Sequence, residues 1–310
     1  MKNLTFMTVA LALLFTAGNA HGQFFQTEPN HSFEAAFRTI DRPDLRDTSP
    51  VVINGNTGGT ILRVDDATDL NSGLGVDLDY VFKTQDNSQY EIRGFFTDWE
   101  THSARTGSDL RSPFIPGVGF RQFDVNYQSE MYNLEMNRRQ DIFNGASWLV
   151  GVRYMALNEQ VDFVGTGFVG GPGGALPLTV TSTTEARNPM LGLQMGGEGR
   201  VYLVHGVHLE FDGKAALFSN SARQTSAAFS NFTAPAIRQG SNNDATTMLE
   251  YSVRLHYDLL VNKCSMFVGY EGMYLSGVAI APRQIPTGVL IDDNDNLYFN
   301  GISVGLAFKR

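Results

Sequence analysis

A few residues in this chain have types and spacings that could do chemistry. Gly301-Ile302-Ser303-Val304-Gly305 carries the glycine, any, serine, any, glycine spacing of an esterase nucleophile. That chemistry needs the serine on a sharp elbow between a strand and a helix. Here apolar residues alternate on both sides of Ser303 and no helical pattern follows, so small residues at alternate strand positions account for the match. His205 and His208 stand three apart, a spacing that shares a metal on a helix and not where a turn leads into a strand. Asp292, Asp293 and Asp295 suggest calcium chemistry, but the twelve-residue spacing with its closing glutamate is absent, and they read as a solvated acidic loop. Gly170-Gly171-Pro172-Gly173-Gly174 lacks the lysine and hydroxyl residue of a phosphate loop. His208 and His256 read as polar residues lining a charged face. No catalytic residue, no metal site and no cofactor is expected, and the chain is not read as an enzyme.

The elements that would position these residues are strands. Leu74, Val76, Leu78, Tyr80 and Phe82 are apolar at every second place, with Asp77, Asp79 and Lys83 between them. After a polar turn at 85–88, Tyr90, Ile92, Gly94 and Phe96 alternate with Glu91, Arg93 and Phe95. That is a hairpin with one apolar and one charged face. Phe123, Val125 and Tyr127 begin a long strand running towards Met136, and 138–144 reads as its turn. Trp148, Val150, Val152 and Tyr154 form the next stripe, opposite Arg153. Val207, Leu209, Phe211, Ala215 and Leu217 alternate with His208, Glu210, Asp212 and Lys214. Leu249, Tyr251, Val253, Leu255, Tyr257 and Leu259 alternate with Glu250, Ser252, Arg254, His256 and Asp258. Met266, Val268, Tyr270 and Tyr274 follow, then Tyr298, Ile302, Val304, Leu306 and Phe308. Long loops are expected at 100–120, 158–185, 219–245 and 278–295, and short turns near 86, 141 and 262.

Lys2, the apolar run Leu4 to Phe15 and the small residues from Ala17 to Ala20 read as a secretory signal peptide over 1–22. Residues 23–71 read as an N-terminal segment with a first strand at Ser32 to Thr39 and an acidic loop carrying Asp65, Asp66 and Asp69. Residues 72–310 read as the main part of a single β domain. The sole cysteine, Cys264, excludes an intrachain disulfide and a cysteine metal cluster. A net charge of −9 without a basic run argues against nucleic acid. Thirty-two glycines and many aromatics suit turn-rich β architecture, and a mean hydropathy of −0.15 is what alternating strands average to.

An open sheet of such strands would leave long rows of unpaired backbone groups. In lipid each one costs several kcal/mol, so only closure is tolerable. The expectation is therefore an all-β, antiparallel up-and-down transmembrane β-barrel of about 10 strands (8–12), with short periplasmic turns and long extracellular loops. Its apolar stripe faces lipid. Asp77, Asp79, Glu91, Arg93, Arg153, Glu210, Asp212, Lys214, Glu250, Arg254, Asp258 and Glu271 line the lumen, since an Arg or Lys on the lipid side would cost roughly 2–4 kcal/mol at mid-bilayer. Periodicity alone leaves open a soluble β-sandwich or lipocalin-like barrel with the apolar stripe turned inward.

At the last hairpin, Gly269-Tyr270-Glu271-Gly272-Met273-Tyr274-Leu275-Ser276-Gly277-Val278-Ala279-Ile280-Ala281-Pro282 resembles the penultimate-strand motif of the β-barrel outer-membrane porin family of planctomycete type, related to Legionella-type pore-forming outer-membrane proteins. Leu70-Asn71-Ser72-Gly73-Leu74-Gly75 and Leu149-Val150-Gly151-Val152-Arg153-Tyr154 agree, as do Leu191 to Gly196 and Gly213-Lys214-Ala215. The resemblance implies an outer-membrane barrel of pore type and no catalytic residues. Phe308 stands two residues before the end, whereas barrel-insertion signals usually finish on a terminal aromatic.

The expected partners are the lipid bilayer of the outer membrane and the barrel-assembly machinery, with no nucleic acid. The expected function is a narrow pore for ions or small solutes, or a structural barrel. The alternatives are a surface-exposed adhesion or ligand-binding barrel using the long loops, and an outer-membrane enzyme.

Overall fold

The computed structural model describes residues 31–42, 50–63, 70, 72–84, 88–112, 115–143, 145–171, 174–232, 235–260, 263–287 and 291–309. The expected signal peptide lies outside them. In chain order the elements are β1 (His31–Asp41), β2 (Pro50–Asn54), β3 (Thr60–Arg63), β4 (Gly73–Lys83), β5 (Gln89–Ser112), β6 (Ile115–Phe143), β7 (Ala146–Gly171), β8 (Gly174–Val204), β9 (Val207–Ser230), β10 (Ala236–Leu260), β11 (Cys264–Val278), the short helix α1 (Ala281–Thr287) and β12 (Asp295–Lys309).

Every strand pairing is antiparallel, and ten strands close into a ring. β1 pairs on one side with β12 and on the other with β4. β5 joins β4 to β6, and β6 to β12 follow one another as neighbours. β2 and β3 form a side hairpin, tied to the ring where Ile53 faces Arg111. Closure satisfies the backbone groups that an open edge would strand in lipid.

At one end the connections are tight. Phe143 pairs with Ala146, and Gly145 between them has φ 85°. Val204 pairs with Val207, and Gly206 has φ 77°. Two-residue hairpins need this left-handed backbone, and glycine adopts it without strain. The turn expected over 138–144 is therefore narrower than its sequence suggested, and β6 runs on to Phe143.

Strand length divides the ring. β1, β4, β11 and β12 have 11 to 15 residues, whereas β5 to β10 have 24 to 31. A tilted membrane strand needs about 9–11. The six long strands therefore stand beyond the ring as a curved wall. Most of the stretches 100–120, 158–185 and 219–245, read as loops from their glycine, serine and threonine, continue as paired strand.

The alternation also fixes which face looks out. Leu193 is 69% exposed and Leu249 59%, with Val253 and Tyr257 on the same outer face. Leu74, Phe37, Leu134, Met136, Val152, Leu191, Met195, Leu217, Ile302 and Val304 share this apolar outer belt. The soluble reading, with these side chains packed inside, is thereby replaced by the transmembrane form.

Candidate functional site: the filled interior

At belt height the inward side chains are ionic. Arg93 donates to Asp77 at 2.6 Å and reaches Glu250 at 3.4 Å. Arg153, fully buried, bonds Glu250 at 2.6 Å and lies 3.5 Å from Glu135. Lys214 bonds Glu135 at 2.9 Å and lies near Glu91 and Asp212. Arg38 bridges Glu271 (3.1 Å) and Asp77, and Arg254 meets Glu34 at 3.1 Å. Arg139 holds Glu91 at 2.9 Å and also Glu198, while Arg200 holds Glu210 at 2.7 Å. Neutral groups extend the net: Asn133 accepts from Arg153 and Gln194 donates to Glu135. Burying an ion costs several kcal/mol, which only well-placed partners offset. Apart from Asp212, whose partner Lys214 lies two residues along the same strand, each of these ions has such a partner on another strand, so the net ties the ring across its axis.

The structure thus brings ten of the twelve expected lumen residues into this net. Asp79 is half-buried without an ion-pair partner among the described residues, and Asp258 sits at the turn end, its backbone N–H bonded to Gly206. The net also holds residues that the sequence reading passed over: Glu34, Arg38, Glu135, Arg139, Gln194, Glu198 and Arg200. Two gaps beside its members are small. One cavity of about 10 Å³ lies among Arg38, Phe95, Glu250 and Glu271, and another of about 10 Å³ among Glu34, Asp77, Asp79, Arg254 and Ser303. Each has room for roughly one water.

Above the belt the interior is largely apolar. Phe120, Phe123, Val125, Tyr127, Met155, Leu157, Val161, Phe163, Met190, Phe218 and Phe299 are all buried there. Trp99 packs at a tilt against Phe299 and donates its indole N–H to the Ile40 carbonyl at 2.8 Å. The segment between β11 and β12, expected as an outer loop, folds into this space instead. Val278, Ala279, Ile280 and Ala281 are completely or almost completely buried. The Asn188 amide pairs with both backbone groups of Ala279, at 2.7 and 2.8 Å. Glu159 accepts the Ala281 N–H at 2.9 Å and also holds Arg42. Asn220 and Thr246 donate to the Gly277 carbonyl, and Gln224 donates to that of Gln284. This segment plugs the end opposite the tight turns.

The other chemical candidates fall elsewhere. Ser303 lies within β12, facing Arg38 on one neighbour and Gly269 on the other, not on a strand–helix elbow. His205 is exposed in a turn while His208 faces inward. Asp293 is buried and accepts from Asn242; Asp295 pairs with Arg283 at 3.1 Å. Gly170 and Gly171 continue β7, and Gly174 begins β8.

No protein-family model and no curated protein matches the chain. Solved structures similar in shape include the outer-membrane protease OmpT from Escherichia coli (10% identity, 94% of this chain and 99% of that one, TM-score 0.41). A major outer membrane protein from Thermus thermophilus (11%, 92% and 100%, 0.34) is another. So is Ail, the attachment invasion locus protein of Yersinia pestis (10%, 92% and 100%, 0.28). At these scores the likenesses carry no argument, and the barrel rests on its own strand register and outer belt.

Proposed function

We propose that this chain is an outer-membrane β-barrel with a sealed lumen, acting through the surface of its six long strands rather than by conduction. The observation that carries this reading is the filled interior: an ion net at belt height, an apolar core and plug above it, and cavities of about 10 Å³ between. The tight turns face the periplasm and the wall faces outward, as in outer-membrane barrels generally. The membrane lipid and the barrel-assembly machinery are its partners. The wall's outer face carries Asn158, Gln160, Thr181, Thr183, Ser219 and Ser221, neutral hydrogen-bonding groups that suit a hydroxyl-rich polymer. The porin resemblance favours conduction instead, and acidic excess would then give cation preference. We read Ser303 as a packing residue and the chain as non-catalytic.

Planar-bilayer recording of the purified protein decides between sealing and conduction. The expected result is no unitary conductance; reproducible cation-selective steps would overturn the sealed reading. In proteoliposomes, shortening the β7–β8 hairpin should leave heat-modifiable gel migration intact and abolish binding to polysaccharide-coated beads. Unchanged bead binding would refute the role given to the wall.

A further inference from the structure

At the turn end of the lumen, where the ion net reaches Glu210, two buried histidines that the sealed-barrel reading does not use converge on that carboxylate. His208 and Glu210 are two apart on β9 and so share its inward face. His256 on β10 stands directly across from His208. All three are buried, at 4%, 7% and 2% exposure, and one ligand atom of each lies within 4.8 Å of the others. Both ring nitrogens of His208, and Nε2 of His256, have no hydrogen-bond partner among the described residues. Buried polar nitrogens are seldom left so, and a neutral imidazole always offers one lone pair.

We propose that His208, Glu210 and His256 form a binding site for a borderline divalent transition-metal cation, with zinc as the reference ion. Two imidazoles and one carboxylate are a ligand set for Zn²⁺, with an open fourth position for water. Calcium and magnesium prefer oxygen ligands and would not select this group.

The local charges and ring packing are compatible with such an ion. Arg200 takes only Oε2 of Glu210, and a monodentate carboxylate ligand needs just one oxygen. Of the other guanidiniums near Glu210, Arg254 is turned to Glu34 and Arg139 to Glu91 and Glu198. His256 is held in a ring stack between Phe267 (5.0 Å) and His208 (4.7 Å, interplanar 12°). Parallel rings cannot both aim an in-plane lone pair at one ion, so binding requires one to turn. His208, tilted against Tyr202 (5.5 Å, interplanar 44°) and without a hydrogen bond to either nitrogen, is the ring that would turn. The bound ion would cross-link β9 to β10 at the end nearest the periplasm, from which a hydrated cation can enter.

The test uses the full protein without affinity histidines, folded in detergent, stripped with a chelator and dialysed against Zn²⁺ alone. One zinc equivalent is expected beyond that bound by the double variant His208→Gln/His256→Gln, with folding of both checked by heat-modifiable migration. His256→Gln alone should weaken binding by more than the roughly 10–100-fold lost with an outer-shell partner. Cu²⁺ loaded on the unsubstituted protein should give electron paramagnetic resonance with coupling to two imidazole nitrogens, a readout independent of whether any variant folds. Equal zinc in wild type and double variant, or a copper spectrum without nitrogen coupling, would overturn the proposal.

Discussion

The same strands fill the barrel with opposite chemistry at two heights. On β6 the inward residues at belt height are Asn133, Glu135 and Asn137, and the outward ones are Leu134 and Met136. Further up the strand, Val125 and Tyr127 point inward while Asn126 and Gln128 point out. The backbone keeps its parity, and the apolar set changes sides. The cause is the medium outside. Where hydrocarbon surrounds the barrel, polar side chains have only the axis to turn to and must pair there. Where water surrounds it, burial of apolar area drives grease inward as in a soluble protein. One strand thus obeys both rules in sequence, and the switch marks the upper edge of the membrane.

Arg153 and Met155 make that contrast testable at two adjacent inward positions of β7, both fully buried. Arg153→Met should have the larger effect. It leaves Glu250 without its 2.6 Å partner and removes one of the cations beside Glu135. Removing one member of a buried ion pair costs about 3–5 kcal/mol, which urea unfolding of the protein in vesicles would read. Adding Glu250→Gln should recover part of the loss, because Glu135 retains Lys214 and Arg93 retains Asp77. If the single substitution left stability unchanged, the net would not be what holds the belt-height interior.

Met155→Ala should cost about 2–5 kcal/mol by opening a cavity, while the volume-conserving Met155→Leu should cost less than about 1.5. If Met155→Leu proved as damaging as Met155→Ala, shape-filling apolar packing would not explain the upper level.

Much of the belt was legible in the sequence, because period-two alternation with charges on one side is strong where it runs unbroken, as in Leu249–Leu259. Ten of the residues picked in that way lie in the ion net. Glu135 lay in a strand whose apolar residues did not fix its inward face, and Arg139 in a stretch read as a turn, which β6 instead crosses as far as Phe143. Glu34 and Arg38 sit in a first strand with too few apolar alternations to fix a face. The upper core was missed for a different reason. Alternation says that two faces differ, not which faces inward, and Phe123, Val125 and Tyr127 were merged with the outer stripe. The signal lay in the phase slip between Tyr127 and Leu134, where apolar residues move from odd to even positions. The plug carries no such period; Asn188 and Glu159 hold it through its backbone, which no side-chain pattern announces.

The smallest expected effect lies at the seam between the two levels, where the plug joins β12. Asp295 sits above the outer belt, and its pKa is raised from 3.8 to about 7. Burial is the main cause; Asp292 and Glu159 add to it, and Arg283 opposes it without overcoming it. Freed into water the carboxyl would ionise near its ordinary value, so the docked form holds a proton that the undocked form releases. Docking is then fully supported below about pH 4 and weakens as pH rises through about 7. Hydrogen-exchange protection of 278–284, corrected for intrinsic rates, should fall across that interval, and Asp295→Asn should flatten the fall. The belt-height amides of β10 should keep their protection throughout, being held by strand pairing on both sides. A parallel loss of protection in β10 would mean that the plug and the belt unfold as one unit, and that the two levels are not separable in energy.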